Sequence, residues 1–393
     1  MSFEGHGVTR ERVHEAIGLL INRLVSLTDS NDKYLVPLPD GRVIDTKGWN
    51  GWDWTHGVGL YGIWKQYEMT GQPELLKIIE DWFAARFAEG GATKNINTMG
   101  VFLTLAYVYE KTENPIYLPW LESWGDWAMH DLPRTQFGGM QHITYVKTND
   151  DQLWDDTLMM TALPLAKIGK VLNRPEYIEE ALRQMCILIQ YLFDSRTGLF
   201  FHGWKFDHSA PGNVGHNFAE ARWARGNSWI TIVIPEMLEL LDDVSFASTP
   251  AMAALRSHFI NTLSAQCRAL THLQEPESGL WRTLLDQSTL EGSYPEASAT
   301  AGFAYGILKA RRKRYLSAEI GDSDVSRTYD DIALAAIKGV LDNVSPDGEL
   351  LQTSFGTGMG DTLQFYKDIV KTAMPYGQAM AIMALVEFSR TFY

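Results

Sequence analysis

Six segments of this chain share one pattern, and that pattern limits the possible fold more than any other feature. In each of them a loop that ends in aromatic or polar residues leads into a helix rich in small and apolar residues. Six helices of another kind alternate with them, apolar on one face and charged on the other, and four of these begin near a proline, which suits the first turn of a helix. Helices that are apolar all round belong inside a fold, and amphipathic helices cover them. The pattern therefore predicts an all-α, closed (α/α)6 barrel.

The repeat also predicts how the chain is divided. The inner helices are predicted at residues 52–69, 97–109, 155–172, 225–241, 297–311 and 376–388. The outer helices are predicted at residues 8–27, 73–87, 115–128, 175–191, 250–270 and 325–340. No linker rich in Pro, Gly or Ser and no low-complexity tract divides the 393 residues. One domain, residues 1–393, is therefore expected, with its function in the loops that precede the inner helices.

Composition narrows the range of partners. The net charge is −14, whereas binding to nucleic acid or to an anionic membrane surface requires a positive patch. No apolar run approaches the length of a membrane span. The first ten residues lack the basic and apolar segments of a secretory signal, so a cytoplasmic protein is expected. Two cysteines, Cys186 and Cys267, indicate neither a disulfide framework nor a cysteine-ligated metal.

The densest group of binding residues lies at 222–229, which read RWARGNSW at the start of the fourth inner helix. Indole faces stack on sugar rings, and a guanidinium binds a carboxylate through two parallel hydrogen bonds. This segment therefore predicts a site for an acidic sugar, with Trp223, Arg225, Asn227 and Trp229 as binding residues. The high content of tryptophan, 13 residues, also favours a cleft lined by aromatic rings, although core packing accounts for part of it.

A cluster of carboxylates precedes the third inner helix, in the stretch NDDQLWDD at 149–156. Asp156 leads a stripe formed by Met159, Met160 and Leu163 at helical spacing, so its carboxyl is expected to face apolar surroundings. Such burial raises the pKa of a carboxyl group, as a general acid requires. The alternative is that Asp155 or Asp156 only caps the helix, which aspartate often does.

Two histidines, His142 and His202, occupy equivalent loops of consecutive repeats. A lone histidine is more often structural, but the repetition favours a shared site. No HExxH or comparable spacing joins them, so no metal site is predicted. Trp54 and Asn97 open the first and second inner helices, where they either bind substrate or serve packing and capping. The glycine loop 356–360 lacks the Lys and Ser/Thr of a phosphate-binding loop and is assigned no role.

The segments WDDTL at 154–158 and WARGN at 223–227, with the loops that carry His142 and His202, together resemble glycoside hydrolase family 105. Its members are unsaturated rhamnogalacturonyl hydrolases, related to the unsaturated glucuronyl hydrolases of family 88. The resemblance covers nearly the whole chain, because the number of helix pairs and the order of the motifs also agree. It implies a barrel of helix pairs and, as substrate, an unsaturated oligosaccharide derived from pectin or a similar polysaccharide.

The resemblance also implies roles for single residues. Asp156 corresponds to the general acid/base. Residues that correspond to the walls of the unsaturated sugar subsite are His142, His202, Trp223 and Arg225, with Trp154 beside them, and Asn97 lies near a second polar position that is often an aspartate in relatives. Ordinary glycosidases use two carboxylates at the anomeric carbon. In the implied reaction one acid protonates C4 of the C4=C5 bond, water adds at C5, and the hemiketal opens and releases the aglycone. No cofactor is implied.

Two other functions fit parts of the sequence. The acidic stretch 150–156 resembles the Mg-diphosphate site of an isoprenoid or terpene enzyme, but a second metal-binding motif and a basic cluster for diphosphate are missing. Loss of activity in EDTA would distinguish that enzyme from a hydratase-like glycosidase. The other alternative is a non-catalytic helical toroid that only binds carbohydrate or protein. A raised pKa at a buried Asp156 would argue against it, because binding alone needs no poised acid.

Overall fold

Twelve helices alternate between an inner and an outer ring in the computed structural model, which describes residues 7–209, 214–242 and 249–393. The inner helices are α2 (Trp54–Thr70), α4 (Val101–Thr112), α6 (Leu163–Val171), α8 (Ala224–Asp242), α10 (Ala297–Arg312) and α13 (Pro375–Phe392). The outer helices are α1 (Arg10–Ser26), α3 (Pro73–Ala88), α5 (Leu118–Asp126), α7 (Pro175–Leu192), α9 (Pro250–Leu273) and α11 (Tyr329–Asp342). The predicted all-α (α/α)6 barrel is confirmed.

Shorter elements fill the connections. The helix α12 (Leu363–Lys367) lies between α11 and α13, 3-10 turns occur at Thr98–Gly100, Pro115–Tyr117, Gln136–Gly138 and Thr289–Glu291, and π-helical turns occur at Trp127–Asp131 and Leu158–Ala162. The strands are β1 (Leu35–Pro37), β2 (Val43–Asp45), β3 (Gln152–Trp154), β4 (Phe193–Asp194), β5 (Leu199–Phe200), β6 (Gly203–Phe206), β7 (Gly215–His216), β8 (Trp281–Arg282) and β9 (Pro295–Glu296). They pair antiparallel as β1–β2, β3–β6–β7, β4–β5 and β8–β9. All of them stand in loops that precede inner helices.

Small residues allow the inner helices to approach one another closely. A Cβ atom on Gly62 of α2 would lie 2.8 Å from Cα of Ala379 in α13, and one on Gly57 would lie 2.6 Å from the main chain of Gly100. Each inner helix contacts the next along the ring, and α13 contacts α2, which closes it. Larger side chains at these positions would force the ring apart, so the closed ring explains why small residues recur in the inner helices.

One hydrophobic core cluster extends from Val8 to Phe388. The inner helices α10 and α13 are buried along nearly their whole length, whereas outer helices such as α1 and α7 bury one face. This difference matches the two kinds of helix in the sequence pattern. In the described part of the chain, no helix combines the length and the apolar character needed to cross a membrane.

When the 3-10 and π turns before α4, α5 and α6 are counted, the helix starts agree with the sequence pattern to within three residues except at the last outer helix. The pattern starts this helix at residue 325, but α11 begins at Tyr329. Thr328 caps it, because its hydroxyl accepts a hydrogen bond from the main chain of Asp331 (3.2 Å), whose carboxylate accepts one from the main chain of Thr328 (2.8 Å). This reciprocal cap stops the helix from extending toward residue 325. Among the helix ends, the last inner helix α13 continues to Phe392, four residues beyond the predicted 388.

The end of the inner ring away from these loops holds a buried ion cluster. Lys309 of α10 lies 2.7 Å from Glu236 of α8, and Lys65 of α2 lies 3.7 Å from the same carboxylate. These three side chains are at most 2% exposed. The hydroxyl of Tyr305 also donates a hydrogen bond to Glu236. The cluster therefore joins three inner helices at the end opposite to the candidate site.

Candidate active site

A cavity of about 580 Å³ opens among the loops that precede the inner helices, at the end of the barrel where the sequence pattern places the function. Of the predicted binding residues, Trp54, Asn97 and Trp154 line this cavity. Further residues that line it include Asp53, Tyr145, Lys147, Lys205 and the loop 355–359. The remaining predicted residues lie behind this wall, and their contacts determine what they can do.

The small sheet β3–β6–β7 brings the predicted acid and one predicted histidine together. The main-chain N–H of Asp155, directly after β3, donates to the carbonyl of His202, directly before β6 (3.0 Å). The N–H of His142 donates to the carbonyl of Gln152 in β3 (3.1 Å), which adds the second histidine loop. Because these bonds belong to the main chain, they fix the positions of Asp156 and both histidines independently of side-chain motion.

His202 links Asp156 to a tyrosine from a distant part of the chain. Nε2 of His202 lies 3.2 Å from Oδ2 of Asp156, and Nδ1 lies 2.7 Å from the hydroxyl of Tyr366. An ionised carboxylate can only accept a hydrogen bond, so Nε2 carries the proton and Nδ1 accepts from the Tyr366 hydroxyl. The side chain of Asp156 is 13% exposed and that of His202 is 1% exposed. The carboxylate is therefore the more exposed member of this pair.

His142 supports the aromatic wall of the cavity. Its ring stacks on Trp154 with 4.2 Å between the ring centres and 9° between the planes. Nδ1 of His142 lies 2.9 Å from the hydroxyl oxygen of Thr157. Burial lowers the pKa of His142 to about 4, so its ring is neutral near pH 7. His142 thus holds the Trp154 ring in place without adding charge.

The pKa values of the adjacent residues Asp155 and Asp156 are shifted in opposite directions. Burial raises the pKa of Asp155 well above its ordinary value, and the neighbouring charge of Asp156 raises it further. Burial is the largest single effect on Asp156 and acts to raise its pKa, but the contacts with His202, His142 and Asp155 together outweigh burial and hold the pKa of Asp156 below its ordinary value. The prediction that Asp156 has a raised pKa is therefore wrong. The apolar stripe is present, but the sequence does not reveal that His202 and Asp155 both contact this carboxylate.

Arg225 does not offer a free pair of donors to the cavity. Its side chain is fully buried, and Nη1 donates to the carbonyl (3.0 Å) and hydroxyl (2.5 Å) of Ser354. Nη2 donates to the carbonyl of Phe355 (3.1 Å) and the hydroxyl of Thr357 (2.9 Å). Glu296 lies 3.6 Å from the guanidinium. These four hydrogen bonds hold residues 354–357, of which 355–357 line the cavity, and a direct fork from Arg225 to a sugar carboxylate stays a prediction.

Three other residues of the segment 222–229 are also supporting residues rather than cavity walls. Asn227 binds both main-chain groups of Phe200, accepting from its N–H and donating to its carbonyl at 2.8 Å each. Trp229 is fully buried and meets Trp54 edge-on, with ring centres 6.2 Å apart. Trp223 is 1% exposed and lies beside His202, with ring centres 4.4 Å apart. Their direct contact with substrate stays a prediction, since in the structure each lies against a neighbour and none is among the residues that line the cavity.

The glycine loop, assigned no role from the sequence, forms part of the cavity wall. Residues Gly356, Thr357 and Gly358 all line the cavity. Among the described residues, no protein acceptor receives the main-chain N–H groups of these three. The charge of Arg225 lies directly behind them. The signal that sequence reasoning missed is the pair of glycines around Thr357, which leaves main-chain donors open to a ligand.

Asp53 is one of two carboxyl groups in the cavity wall, and the other is Asp361. Asp53 precedes α2 as its N-cap residue and is 7% exposed, and its Oδ1 atom has no hydrogen-bond partner. Burial raises the pKa of Asp53 to about 7. An aspartate directly before a helix normally indicates only a cap, so no sequence signal points to a titrating group at this position.

One group of side chains in the described part of the chain has donor atoms close enough to hold a metal ion. It consists of Asp155, Asp156 and His202, whose ligand atoms lie within 4.8 Å of one another. Nε2 of His202 faces the carboxylate with its N–H, however, and a histidine that ligates a metal must present a free lone pair. Metal binding would therefore require His202 to change its tautomer and lose the bond from Tyr366.

A family model described as Glycosyl Hydrolase Family 88 matches residues 27–392. The chain belongs to glycosyl hydrolase family 88. It is therefore a glycosidase. The motifs indicate a resemblance to the related family 105, and solved structures of possible family 105 members confirm it. Membership favours a glycosidase over the isoprenoid enzyme and the non-catalytic toroid.

Two solved structures and one further protein are similar to this family 88 chain. A possible family 105 member from Salmonella enterica is 56% identical, with a TM-score of 0.90 over 98% of this chain and 96% of that one. A possible family 105 member from Klebsiella pneumoniae is 55% identical, with a TM-score of 0.89 over 98% and 95%. An unsaturated rhamnogalacturonyl hydrolase of Bacillus subtilis is 28% identical over 86% of this chain and 90% of its own length.

Proposed function

We propose that this glycosidase removes a 4,5-unsaturated uronic acid from the non-reducing end of oligosaccharides, and that these derive from rhamnogalacturonan. The observation that carries the proposal is the carboxylate of Asp156, which is 13% exposed and accepts a hydrogen bond from His202, whose ring meets Trp154 of the cavity wall. One carboxylate at such a place suits protonation of a vinyl ether better than displacement at an anomeric carbon, which requires two. The name of the Bacillus subtilis relative supports the substrate class.

The carboxylate of the sugar binds at the loop 356–358. Its three main-chain N–H groups have no protein acceptor among the described residues and are donors suited to an anion, whereas the hydroxyl of Thr357 already donates to the carbonyl of Phe355 (2.8 Å). Arg225 contributes its charge from behind the loop and fixes the position of Thr357 (2.9 Å). In this arrangement Arg225 selects the acid without contacting it.

The sugar ring lies against the aromatic wall. Trp154, backed by His142, and Trp54, which stacks on Tyr376 with ring centres 4.4 Å apart, are both held rigidly by these neighbours. Rigid indole faces bind the C–H face of a sugar at little cost in side-chain entropy. The two rings therefore orient the double bond toward Asp156.

The reaction needs one proton and one water molecule. Asp156 delivers a proton to C4, and the π electrons of C4=C5 form the new C4–H bond. The cation at C5 is shared with the ring oxygen. Water adds at C5 and returns a proton to Asp156. The hemiketal at C5 then opens, and the hemiacetal left at C1 releases the aglycone as an alcohol.

An absorbance assay tests the proposal. Unsaturated uronyl disaccharides absorb at the ultraviolet edge, and hydration of C4=C5 removes that absorbance. We expect the signal to fall with a disaccharide of unsaturated galacturonate and rhamnose, and no release of rhamnose from the matched saturated disaccharide. Release from the saturated sugar, or a constant signal with every unsaturated disaccharide tried, would rule out this mechanism. Replacing rhamnose by glucose or N-acetylglucosamine identifies the preferred aglycone.

Two further expectations concern the whole chain. Because one core cluster runs from Val8 to Phe388, we propose that residues 1–393 form one domain, and calorimetry should then show a single unfolding transition. Because Cys186 and Cys267 are both free thiols, we also propose that the enzyme works in the reducing cytoplasm, which cell fractionation can test.

A further inference from the structure

The carboxyl group of Asp155 occupies an unusual position. It is fully buried, and no N–H or hydroxyl group in the described part of the chain donates a hydrogen bond to either of its oxygens. The carboxyl of Asp156 is close by, because one oxygen of each aspartate and a ring nitrogen of His202 lie within 4.8 Å of one another. Two buried carboxylates in contact repel each other strongly, so the pair is stable only when it holds a proton.

The surroundings decide which member of the pair holds that proton. Asp156 accepts a hydrogen bond from His202, which favours its ionised form. Asp155 receives no such bond. The remaining charged or titratable groups that face the pair are His142, Tyr366 and Arg225. The charge of Arg225 is partly balanced by Glu296, which lies 3.6 Å away.

We propose that Asp155 stores the proton that Asp156 gives to the substrate, so that the two aspartates act as a pair with one shared proton. Asp155 does not touch the substrate and is a positioning residue that acts through Asp156. The inference rests on the proposed function, because it supplies the acid that vinyl ether protonation needs. Without the proton stored on Asp155, Asp156 would be an ionised base with no proton to give.

The transfer can be followed proton by proton. In the resting enzyme the hydroxyl of Asp155 donates to the carboxylate of Asp156. The proton crosses this hydrogen bond, and Asp156 passes it to C4 while the π electrons of C4=C5 form the C–H bond. The pair is then doubly negative beside a positively charged sugar and Arg225. Water that adds at C5 gives one proton back to Asp156, and the pair again holds a single proton.

The start of α8 is shaped to accept Asp155. A Cβ atom at Gly226 would lie 2.7 Å from Cγ of Asp155, so only glycine leaves room for this carboxyl. Gly226 stands in the first turn of α8, and the partial positive charge of a helix start stabilises Asp155 during the moment when it is ionised. The same close approach excludes a bulk water molecule that would otherwise bind the proton.

The test compares pH profiles of kcat for the wild type and Asp155→Asn. Asparagine has the same size and can still donate to Asp156, but it has no transferable proton. We expect kcat at pH 7 to fall by roughly 10²-fold and the alkaline limb to move at least about one pH unit lower, because Asp156 alone must then supply the proton. Asp347→Asn, which changes an exposed aspartate, should keep the wild-type profile.

Several outcomes would overturn the inference. An unshifted alkaline limb with an equal loss at every pH would show that Asp155 is only structural, and an unchanged kcat would show that it is not needed. Activity that is lost in EDTA and restored by a divalent cation would mean that the three donors hold a metal. If the wild type itself leaves unsaturated disaccharides intact, that result contradicts the proposed function and not the storage of a proton by Asp155.

A second measurement does not depend on activity or on perfect folding of one variant. The infrared spectrum of the wild type near pH 7 should contain the C=O stretch of a protonated carboxyl that is absent from Asp155→Asn and present in Asp347→Asn. Thermal unfolding monitored by circular dichroism establishes that each variant is folded. Identical carboxyl bands in the wild type and Asp155→Asn would place the proton elsewhere and contradict the storage role.

Discussion

The hydroxyl of Tyr366 lies 2.7 Å from Nδ1 of His202, although 164 positions separate the two residues in the chain. Because the hydroxyl donates to Nδ1, the ring carries its proton on Nε2, which faces Asp156. A residue of the short helix α12 thus determines how the candidate catalytic carboxylate is held, and no sequence motif indicates this.

Tyr366→Phe tests this relationship with the loss of one oxygen atom. Without the hydroxyl, the tautomer of His202 is no longer fixed, and the hydrogen bond to Asp156 weakens. We expect kcat to fall about tenfold, the equivalent of one hydrogen bond, with little change in KM. The acid limb of the pH profile should move to higher pH, because the pKa of Asp156 rises when its donor is lost. An acid limb that stays in place would show that Tyr366 does not act through His202.

Asp156→Asn removes the group that we expect to transfer the proton. Asparagine keeps the size of the side chain but cannot give or accept a proton, so kcat should fall by roughly 10²–10⁴-fold or more. KM for an unsaturated disaccharide should change little, because the sugar is held by the loop and the aromatic wall. Retained turnover in this variant, measured by absorbance, would remove Asp156 from the mechanism.

Much of the fold can be predicted because its causes are local. Helices that are apolar all round alternate with amphipathic ones, and this alternation alone predicts two rings of six helices each. The cap at Thr328 is also a local signal, and it accounts for the start of α11 at Tyr329, four residues after the predicted position 325. Asp156 and the histidine loops can be found from short motifs for the same reason.

The parts that the sequence does not reveal depend on contacts between distant segments. Arg225 has the chemistry to bind a carboxylate, but its direction is set by Ser354 and Thr357 more than a hundred positions later. The pKa of Asp156 is lowered because contacts with His202, His142 and Asp155 together outweigh its burial, and the pKa of Asp155 is raised mainly by burial against α8. Residue type identifies what a side chain can do, and only the closed ring determines what it meets.

Thr357→Val separates the role of the loop from the role of the buried arginine. Valine removes the hydroxyl that Nη2 of Arg225 binds, at constant size and at a position that is only half-buried. We expect KM to rise several-fold through the loss of one hydrogen bond of about 1 kcal/mol, with kcat and the melting temperature nearly unchanged. An unchanged KM would show that the loop does not receive the sugar carboxylate.

Arg225→Ala should behave differently, because it leaves Glu296 buried without its partner and removes donors from two main-chain carbonyls. Breaking a buried pair costs roughly 3–5 kcal/mol of stability, so the variant should unfold at a lower temperature as well as bind substrate poorly. Arg225→Lys should rescue neither property, because an ammonium cannot reach both groups of acceptors. A stable Arg225→Ala protein that is defective only in KM would favour direct contact with the substrate.

Lys309→Met tests the buried ion cluster at the other end of the ring. The change leaves Glu236 buried with the weaker contact to Lys65 (3.7 Å), so we expect the free energy of unfolding to fall by roughly 3–5 kcal/mol. Adding Glu236→Gln should restore part of the loss, because the unpaired charge is removed. Denaturant unfolding measures both. The kcat of the folded protein should not change, since the cluster lies far from the cavity. If the losses of stability from Lys309→Met and Glu236→Gln simply add in the double variant, Lys309 and Glu236 are not coupled.

Asp53→Asn should make stability less dependent on pH. Burial raises the pKa of Asp53 from an unfolded value of 3.8 to about 7, so between these two values the folded state binds more protons than the unfolded state. Stability contributed by the protonated form is complete below about pH 4 and is lost as the pH rises through about 7. The shift corresponds to about 4 kcal/mol at most, at 1.36 kcal/mol for each pH unit. Asparagine does not ionise, so Asp53→Asn should gain stability relative to the wild type as the pH rises from about 4 to 7, and the difference should then remain constant. Denaturant unfolding at a series of pH values measures this difference, with Asp347→Asn as the exposed control. A difference that does not vary with pH would show that Asp53 is already ionised in the folded protein, and hence that the cavity wall is wetter than its burial indicates.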